Sequence, residues 1–493
     1  MNLPPFTLIP AAQGMSSSDR GSILTQALVG GLFSRRQIRS ITDRLISCII
    51  KTGGTGVILC ILGMCIFLVK EVVPLFQSPR AILTEPVPLS APETSSSALI
   101  GIDEQQELAY VLHGNSLEFI FLTGATSTTS QSLSRRLIPD GSVTAVARAL
   151  GKGHFLALGT GDGRVIPVAI EFSQEFKGND RSAVPSVTIG APIVATPSPQ
   201  PITKMAYQST EFDVRIAALL QDQHLWVTTS RTTSRPDGTM AASITQVDLT
   251  PGIIGRITAL TFGSRAEILA IGTEEGKLYY FDLGESASPV LVETTQASEP
   301  GEAITALAYL LGDRSLIVGS ASGQIAVWMP VREHSGTNRT TMTAVHRFSS
   351  HSSAVTGITI SQRDKGFITT DTSGEIRLHH STSEQTLLTL TSQQGALRNT
   401  YFSAKADGLV SLTEDNRLIH YHIANPYPEV TWATLFLPVW YEDYDQPKLV
   451  WQSSSGSDDF EPKFSLTPLI FGTIKGTVYA VLLAVPLRLA RQR

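Results

Sequence analysis

The sequence predicts a mainly β protein, a roughly seven-bladed WD40-like β-propeller set between two transmembrane α-helices. Three observations predict it. A strand–turn–strand motif recurs with turns about 40–60 residues apart, the spacing of propeller blades. Two apolar segments, Thr52 to Val69 and Phe464 to Leu487, flank the repeats. Charged residues make up only 16% of the 493 residues, against roughly 25% in ordinary soluble domains.

The first element, residues 1–44, reads as a basic cytoplasmic tail. Arg20, Arg35, Arg36, Arg39 and Arg44 outnumber Asp19 and Asp43. Residues 45–75 read as an anchor helix. Its Thr52–Val69 core carries no charge and, at ~1.5 Å per residue, nearly crosses a ~30 Å hydrocarbon layer. The continuation Lys70-Glu71-Val72-Val73-Pro74 offers no small-x-small cleavage site, so the segment reads as a retained anchor rather than a signal peptide. Acidic residues prevail beyond it, among them Glu71, Glu85, Glu93 and Asp103. The positive-inside rule then puts the N-terminus in the cytoplasm and the following domain across the membrane. The three cysteines, Cys48, Cys60 and Cys65, all lie in or beside this segment. The later chain therefore holds no disulfide framework and no CxxC metal site.

Residues 76–96 read as a linker and 97–430 as the propeller. The clearest repeat runs Ile257-Thr-Ala-Leu260, Leu269-Ala-Ile-Gly-Thr273, a turn at Glu274-Glu-Gly276, then Leu278-Tyr-Tyr-Phe281. Copies follow at Ile304-Thr-Ala-Leu307 with a turn ending at Gly323, and at Val355-Thr-Gly-Ile358 with a turn ending at Gly374. Weaker copies turn at Gly114-Asn115, Gly161-Asp-Gly163, Gln221-Asp-Gln223 and Asp415-Asn416. Most turns carry Gly or Asn, which tolerate the positive φ of tight hairpins. Each copy supplies three strands; the fourth, outer strand is expected from the variable stretches between copies. No Gly-His or Trp-Asp pair recurs, so the likeness to WD40 repeats is one of pattern. A two-sheet sandwich array is the rival architecture.

Residues 431–463 form an aromatic and acidic linker centred on Trp440-Tyr-Glu-Asp-Tyr444. It reads either as a contact surface near the membrane, where amphipathic aromatics collect, or as a linker packed on the propeller. Residues 464–488 read as the second transmembrane helix, with acidic Asp458, Asp459 and Glu461 before it and a basic end, 489–493, after it. Lys475 lies inside this span. A lysine at membrane depth is costly unless it faces protein or water, which makes it the one candidate intramembrane functional residue.

Few residues suggest chemistry. The chain has no GxxxxGK[ST] phosphate loop, no GxSxG elbow and no HExxH. His420 and His422 share a strand face and are within reach of one metal, although a solvent-facing blade edge is the simpler role. His379-His380 point opposite ways. Gly159-Thr-Gly-Asp-Gly163 suits an anion nest but reads more simply as a hairpin turn. The expectation is a chain with no catalytic residues, no metal, no cofactor and no nucleic-acid partner, in contact with membrane lipid.

The stretch Trp440 to Leu487 carries a resemblance. It includes Val450-Trp-Gln-Ser-Ser-Ser-Gly456, Asp458-Asp-Phe-Glu-Pro-Lys463, Leu466-Thr-Pro-Leu-Ile-Phe-Gly-Thr-Ile-Lys-Gly-Thr477 and Ala484-Val-Pro-Leu487. With Asp43-Arg44 and Glu71-Val-Val-Pro-Leu75, these segments resemble PstC-type permease subunits of bacterial phosphate ABC importers, in the long form with a propeller-like insert. The resemblance implies a multi-pass inner-membrane protein with a periplasmic propeller. It implies a sister permease, cytoplasmic ATPase subunits and a periplasmic phosphate-binding protein as partners. Members of that family continue with further membrane helices after the Ala-Val-Pro-Leu stretch, whereas this sequence stops within six residues, which suggests a truncated reading frame. The functional expectation is the N-terminal portion of a phosphate importer permease. Its alternative is a membrane-anchored periplasmic propeller acting as an interaction scaffold or sensor.

Overall fold

A computed structural model describes residues 35–89, 98–122, 132–138, 141–151, 154–177, 180–210, 213–234, 240–284, 289–333, 339–392, 395–456 and 460–491. Asp458 and Asp459, and most of the basic tail, lie outside them. The chain divides into two units, Met1–Leu75 and Phe76–Arg493.

In the first unit one helix, α1, runs Arg35–Val72 and gives way to a 3-10 turn, Val73–Phe76. It starts before the expected Leu45, because Arg35–Arg44 holds no Gly or Pro to stop it. Pro74 ends it, since proline cannot continue a hydrogen-bonded helix. The apolar side chains of α1 are uncovered, Ile50 by 67% and Ile66 by 62%. A water-soluble fold would bury such a surface.

The second unit holds seven antiparallel sheets arranged as propeller blades, five of four strands and two, blades 2 and 7, in which two strands share the outermost position. Within each we letter the strands a to d from the axis outward. The a strands are Ala98–Ile102, Val143–Arg148, Ile202–Ser209, Ile257–Phe262, Ile304–Tyr309, Val355–Ile360 and Leu397–Phe402. The core fills the gaps between blades. One cluster joins Leu108 and Leu117 of blade 1 to Leu156 and Leu158 of blade 2, and another joins Ile376 and Leu378 of blade 6 to Leu409 and Ile419 of blade 7.

The recurring Ile/Val-Thr opening has a geometric cause. In six blades the second residue of strand a bulges out of the ladder, as Thr258 does between Ile257 and Ala259. The bulge re-aims the hydroxyl. Thr144, Thr203, Thr258 and Thr305 donate to the carbonyls of Gly159, Leu219, Gly272 and Gly319 at 3.0–3.3 Å. The preceding Ile or Val packs onto the previous blade. A β-carbon added at Gly272 would lie 2.6 Å from Ile304, and one at Gly319 2.7 Å from Val355. Gly319→Ala should therefore destabilise the propeller by about 1–3 kcal/mol through overpacking. A thermal melt unchanged from wild type would disprove that close approach.

Five of the seven b–c turns follow one chemistry. The hydroxyls of Thr160, Thr273, Ser320 and Thr413 accept from the N–H four residues on at 2.9–3.2 Å. The Asp371 carboxylate does the same for Glu375 at 2.9 Å. The left-handed residue of these five turns is Gly163, Gly276, Gly323, Gly374 or Asn416, as the sequence predicts; blades 1 and 3 place Gly114 and Gln223 at positive φ.

The ring closes on itself. Strand d of blade 7 comes from the beginning of the unit: Arg80–Leu83 and Val87–Pro88 pair with strand c, Arg417–Ala424. The described part of 76–96 is thus a blade strand rather than the expected linker. Without it the outer edge of blade 7 would expose unpaired backbone. Its shortness and its prolines hide it from pattern reading.

Candidate interaction face

Each a strand runs toward the a–b connections, and each c strand toward the c–d connections, so these loops share one face. Arg80 lies opposite Ala424, the last residue of strand c in blade 7. The chain therefore joins and leaves the ring at the same face.

After Ala424 the chain crosses that face as a strap reaching to Leu466. Ser383 donates to the Pro428 carbonyl at 3.0 Å. His346 Nε2 lies 3.1 Å from the Trp440 carbonyl, and the Trp440 indole donates to the Tyr444 carbonyl at 2.8 Å. Tyr441 is buried. At the centre sits Glu442. It accepts from Lys365 Nζ and from the Ser315 hydroxyl, each at 2.6 Å, while its N–H donates to Glu461 at 2.8 Å. Glu461 also accepts from the Thr382 hydroxyl. Burial pushes the Glu442 carboxyl up, and Lys365 pulls it back. Of the two readings of this stretch, the packed linker describes its middle, which lies on blades 5 and 6.

The strap's first part is a single helical turn, α2, Trp432–Phe436. A capping box fixes it: Thr431 Oγ1 accepts from the Thr434 N–H at 3.1 Å, and Thr434 Oγ1 accepts from the Thr431 N–H at 2.9 Å. Its aromatic side chains point outward. From the strap the chain passes into α3, Thr467–Arg491, where Leu466 N–H donates to the Leu435 carbonyl at 2.8 Å. The residues Thr42–Phe76 and Thr467–Pro486 are long and apolar enough to cross a membrane. Lys475 lies on α3, uncovered, with its ammonium 5.7 Å from the Tyr479 ring.

The propeller axis holds a cavity of about 260 Å³ lined by inner strands of all seven blades. Among the described residues, Arg148 brings the sole formal charge to its lining. The guanidinium lies 3.7 Å over the Tyr401 ring and donates to the Ile100 carbonyl, so it ties blade 2 to blades 7 and 1. A second cavity of about 440 Å³ lies between blades 6 and 7 beside the strap. Charges of both signs border it, and Asp407 there accepts from Gln106 at 2.6 Å.

The predicted histidines serve the fold. His420 is 2% exposed rather than edge-facing. Its Nε2 lies 2.9 Å from Gln106 Oε1 and its Nδ1 3.2 Å from Thr84 Oγ1, at the seam where the ring closes. Burial, then the neighbouring His422, brings its pKa down to about 4. His422 is exposed, with its ring 4.4 Å from that of His420. Burial lowers His379 to about 3 and His380 to about 4. Gly159–Gly163 is a hairpin turn closed by an Asp162–Arg164 pair.

Sequence reading missed a buried relay. His351 Nε2 lies 2.8 Å from Thr369 Oγ1, which lies 2.9 Å from His379 Nε2. On its other side His351 Nδ1 is 3.5 Å from Asp371 and 3.7 Å from Glu375. The latter three could hold a metal by proximity. Arg377 already neutralises Glu375 and donates to the carbonyls of Ser349 and Ser350. The relay is accordingly read as the pin that fastens the loop before blade 6. A His ahead of strand a, a Thr on strand b and an Asp two residues on were its only sequence trace.

No family model matches the chain, and no curated protein matches it. Among solved structures the chain is similar to the β-propeller domain of Myceliophteria thermophila Cps50 (Swd1). The identity is 12% and the TM-score 0.45, over 69% of this chain and 99% of that one. It is similar also to a chain of a mitotic checkpoint complex, at 12% identity and TM-score 0.43, over 71% and 96%. The resemblance to PstC-type permeases is thereby overturned: no match carries it, and the chain is largely propeller rather than a multi-span permease. Of the residues that suggested it, Glu442 and Glu461 tie the strap to the blades. The importer partners implied by that resemblance lose their basis with it.

Proposed function

We propose that this protein is a membrane-anchored propeller that acts as an interaction scaffold or sensor, held at one face and binding partners at the other. The observation that carries the reading is the common face of the two chain ends. Arg80 and Ala424 lie side by side, and each leads along the chain to an apolar helix. The opposite face, built from d–a and b–c connections, is left for partners. The positive-inside rule, applied to the basic flank of α1, supports a cytoplasmic N-terminus with the propeller on the far side of the membrane, which we read as the periplasm of a bacterial cell. Binding rather than catalysis is supported by the axial cavity, where the charge of Arg148, the one among the described lining residues, is engaged with Tyr401 and Ile100. The partner class proposed is protein.

Cysteine labelling in intact cells tests this directly, because the propeller has no cysteine. A Thr372→Cys variant, on an exposed b–c turn, should react with a membrane-impermeant maleimide added outside. A cysteine appended to the N-terminus should react only after lysis. Cys48, Cys60 and Cys65 should stay unlabelled in lipid. Labelling of those three, or release of the protein by alkaline carbonate, would disprove the anchor.

A further inference from the structure

The strap begins with an aromatic surface that the scaffold reading does not use. Trp432 is 68% exposed, Phe436 39% and Leu437 59%. Phe76, the first residue of the propeller unit and 38% exposed, stacks on Trp432 with centroids 5.0 Å apart. Trp432 stacks in turn on Phe436 at 5.8 Å. The three rings form a stacked ladder, each of them exposed. Its backbone is held rigidly: the capping box fixes α2, and Thr434 is buried beneath it.

We propose that Phe76, Trp432, Phe436 and Leu437 form a foot that inserts into the headgroup layer of the bilayer and seats the propeller on the membrane. This rests on the membrane-anchored reading. The occupant follows from continuity. Leu466 N–H donates to Leu435, and Thr467 Oγ1 donates to the Phe436 carbonyl at 3.3 Å. Thr467 is also the first residue of the apolar span. If Thr467 marks the membrane surface, α2 lies at the same depth, within one hydrogen bond of it. Phe76 closes the other apolar span along the chain. Trp prefers that depth, where the ring is shielded and the indole N–H stays wet. An exposed ladder of this kind in water would leave apolar area uncovered for no gain. With the foot inserted, the a–b and c–d face is held toward the lipid, and the opposite face is aimed at solution.

The test uses the full chain in nanodiscs made with phosphatidylcholine brominated either near the headgroup end of the acyl chains or near their terminal methyls. Tryptophan quenching is compared between wild type and Trp432→Phe, a change that keeps the stack. Shallow bromines should quench wild type, and Trp432→Phe should lose most of that quenching. A Tyr479→Trp substitution in the Trp432→Phe background reports on α3, and deep bromines should quench it. Quenching of Tyr479→Trp with none at Trp432 would overturn the foot alone and turn the ladder into a protein-docking patch. Absence of quenching at both would overturn the foot together with the anchor.

Discussion

Acidification from pH 7 to pH 5 should lower the melting temperature of the propeller steeply. His379, His380, His154 and His420 are held neutral, with burial the first cause in each case and pKa values brought down to about 3, 4, 4 and 4. In the unfolded chain each titrates near 6.5. The folded pKa is depressed, so the unfolded state takes up the proton first. Stability is complete above about pH 6.5 and falls as pH drops toward about 4. For each fully buried histidine the slope approaches ~1.4 kcal/mol per pH unit. His379 and His380 alone would then remove several kcal/mol of a stability of order 5–15 kcal/mol. Glu429 and Glu442, raised by burial, oppose the trend. Asp213, lowered by its pairing with Arg231, joins it only in stronger acid. Circular dichroism melts across this range would read the effect, and a His379→Phe variant should flatten it. A melting temperature constant from pH 7 to 5 would mean the histidines are not buried as described.

Lys365→Met should release the strap. Lys365 and Glu442 are paired at 2.6 Å with side chains 2% and 10% exposed. Breaking such a pair on one side costs about 3–5 kcal/mol, because a buried charge is left alone, whereas replacing both partners with apolar groups is often neutral. Chymotrypsin should cut near Tyr441 and Tyr444 in Lys365→Met and leave both sites intact in wild type. The double variant Lys365→Met/Glu442→Leu should recover protection. If Lys365→Met is as resistant as wild type, the strap is held by its other contacts.

Where neighbouring residues make the structure, the sequence was readable. Ile-Thr-Ala openings and Gly-bearing turns mark strands a, b and c because each is local, and they led to seven blades. What escaped depends on residues far apart. Lys365 and Glu442 are separated by 77 residues, and no period links them. The relay through His351, Thr369 and His379 lies in one blade but has no repeated copy to reveal it. His420 looked like an edge residue because its cover, Gln106 and Thr84, comes from the other end of the ring. The short strings from Trp440 to Leu487 misled for a related reason. Those from Leu466 on are rich in small and apolar residues, a composition that a membrane-length helix needs whatever the protein does.

The closing of blade 7 has a consequence for how the molecule is made. Thr84 and His420, which meet at the seam, are 336 residues apart. A ribosome adding ~5–20 residues per second needs on the order of half a minute to deliver the second after the first. Through that interval the earliest strand, Arg80–Leu83, has no partner for its backbone. Six blades can assemble in order as they emerge, but the circle is completed only by the last strand to arrive, so any stall in synthesis before Ala424 leaves an open ring with a waiting edge.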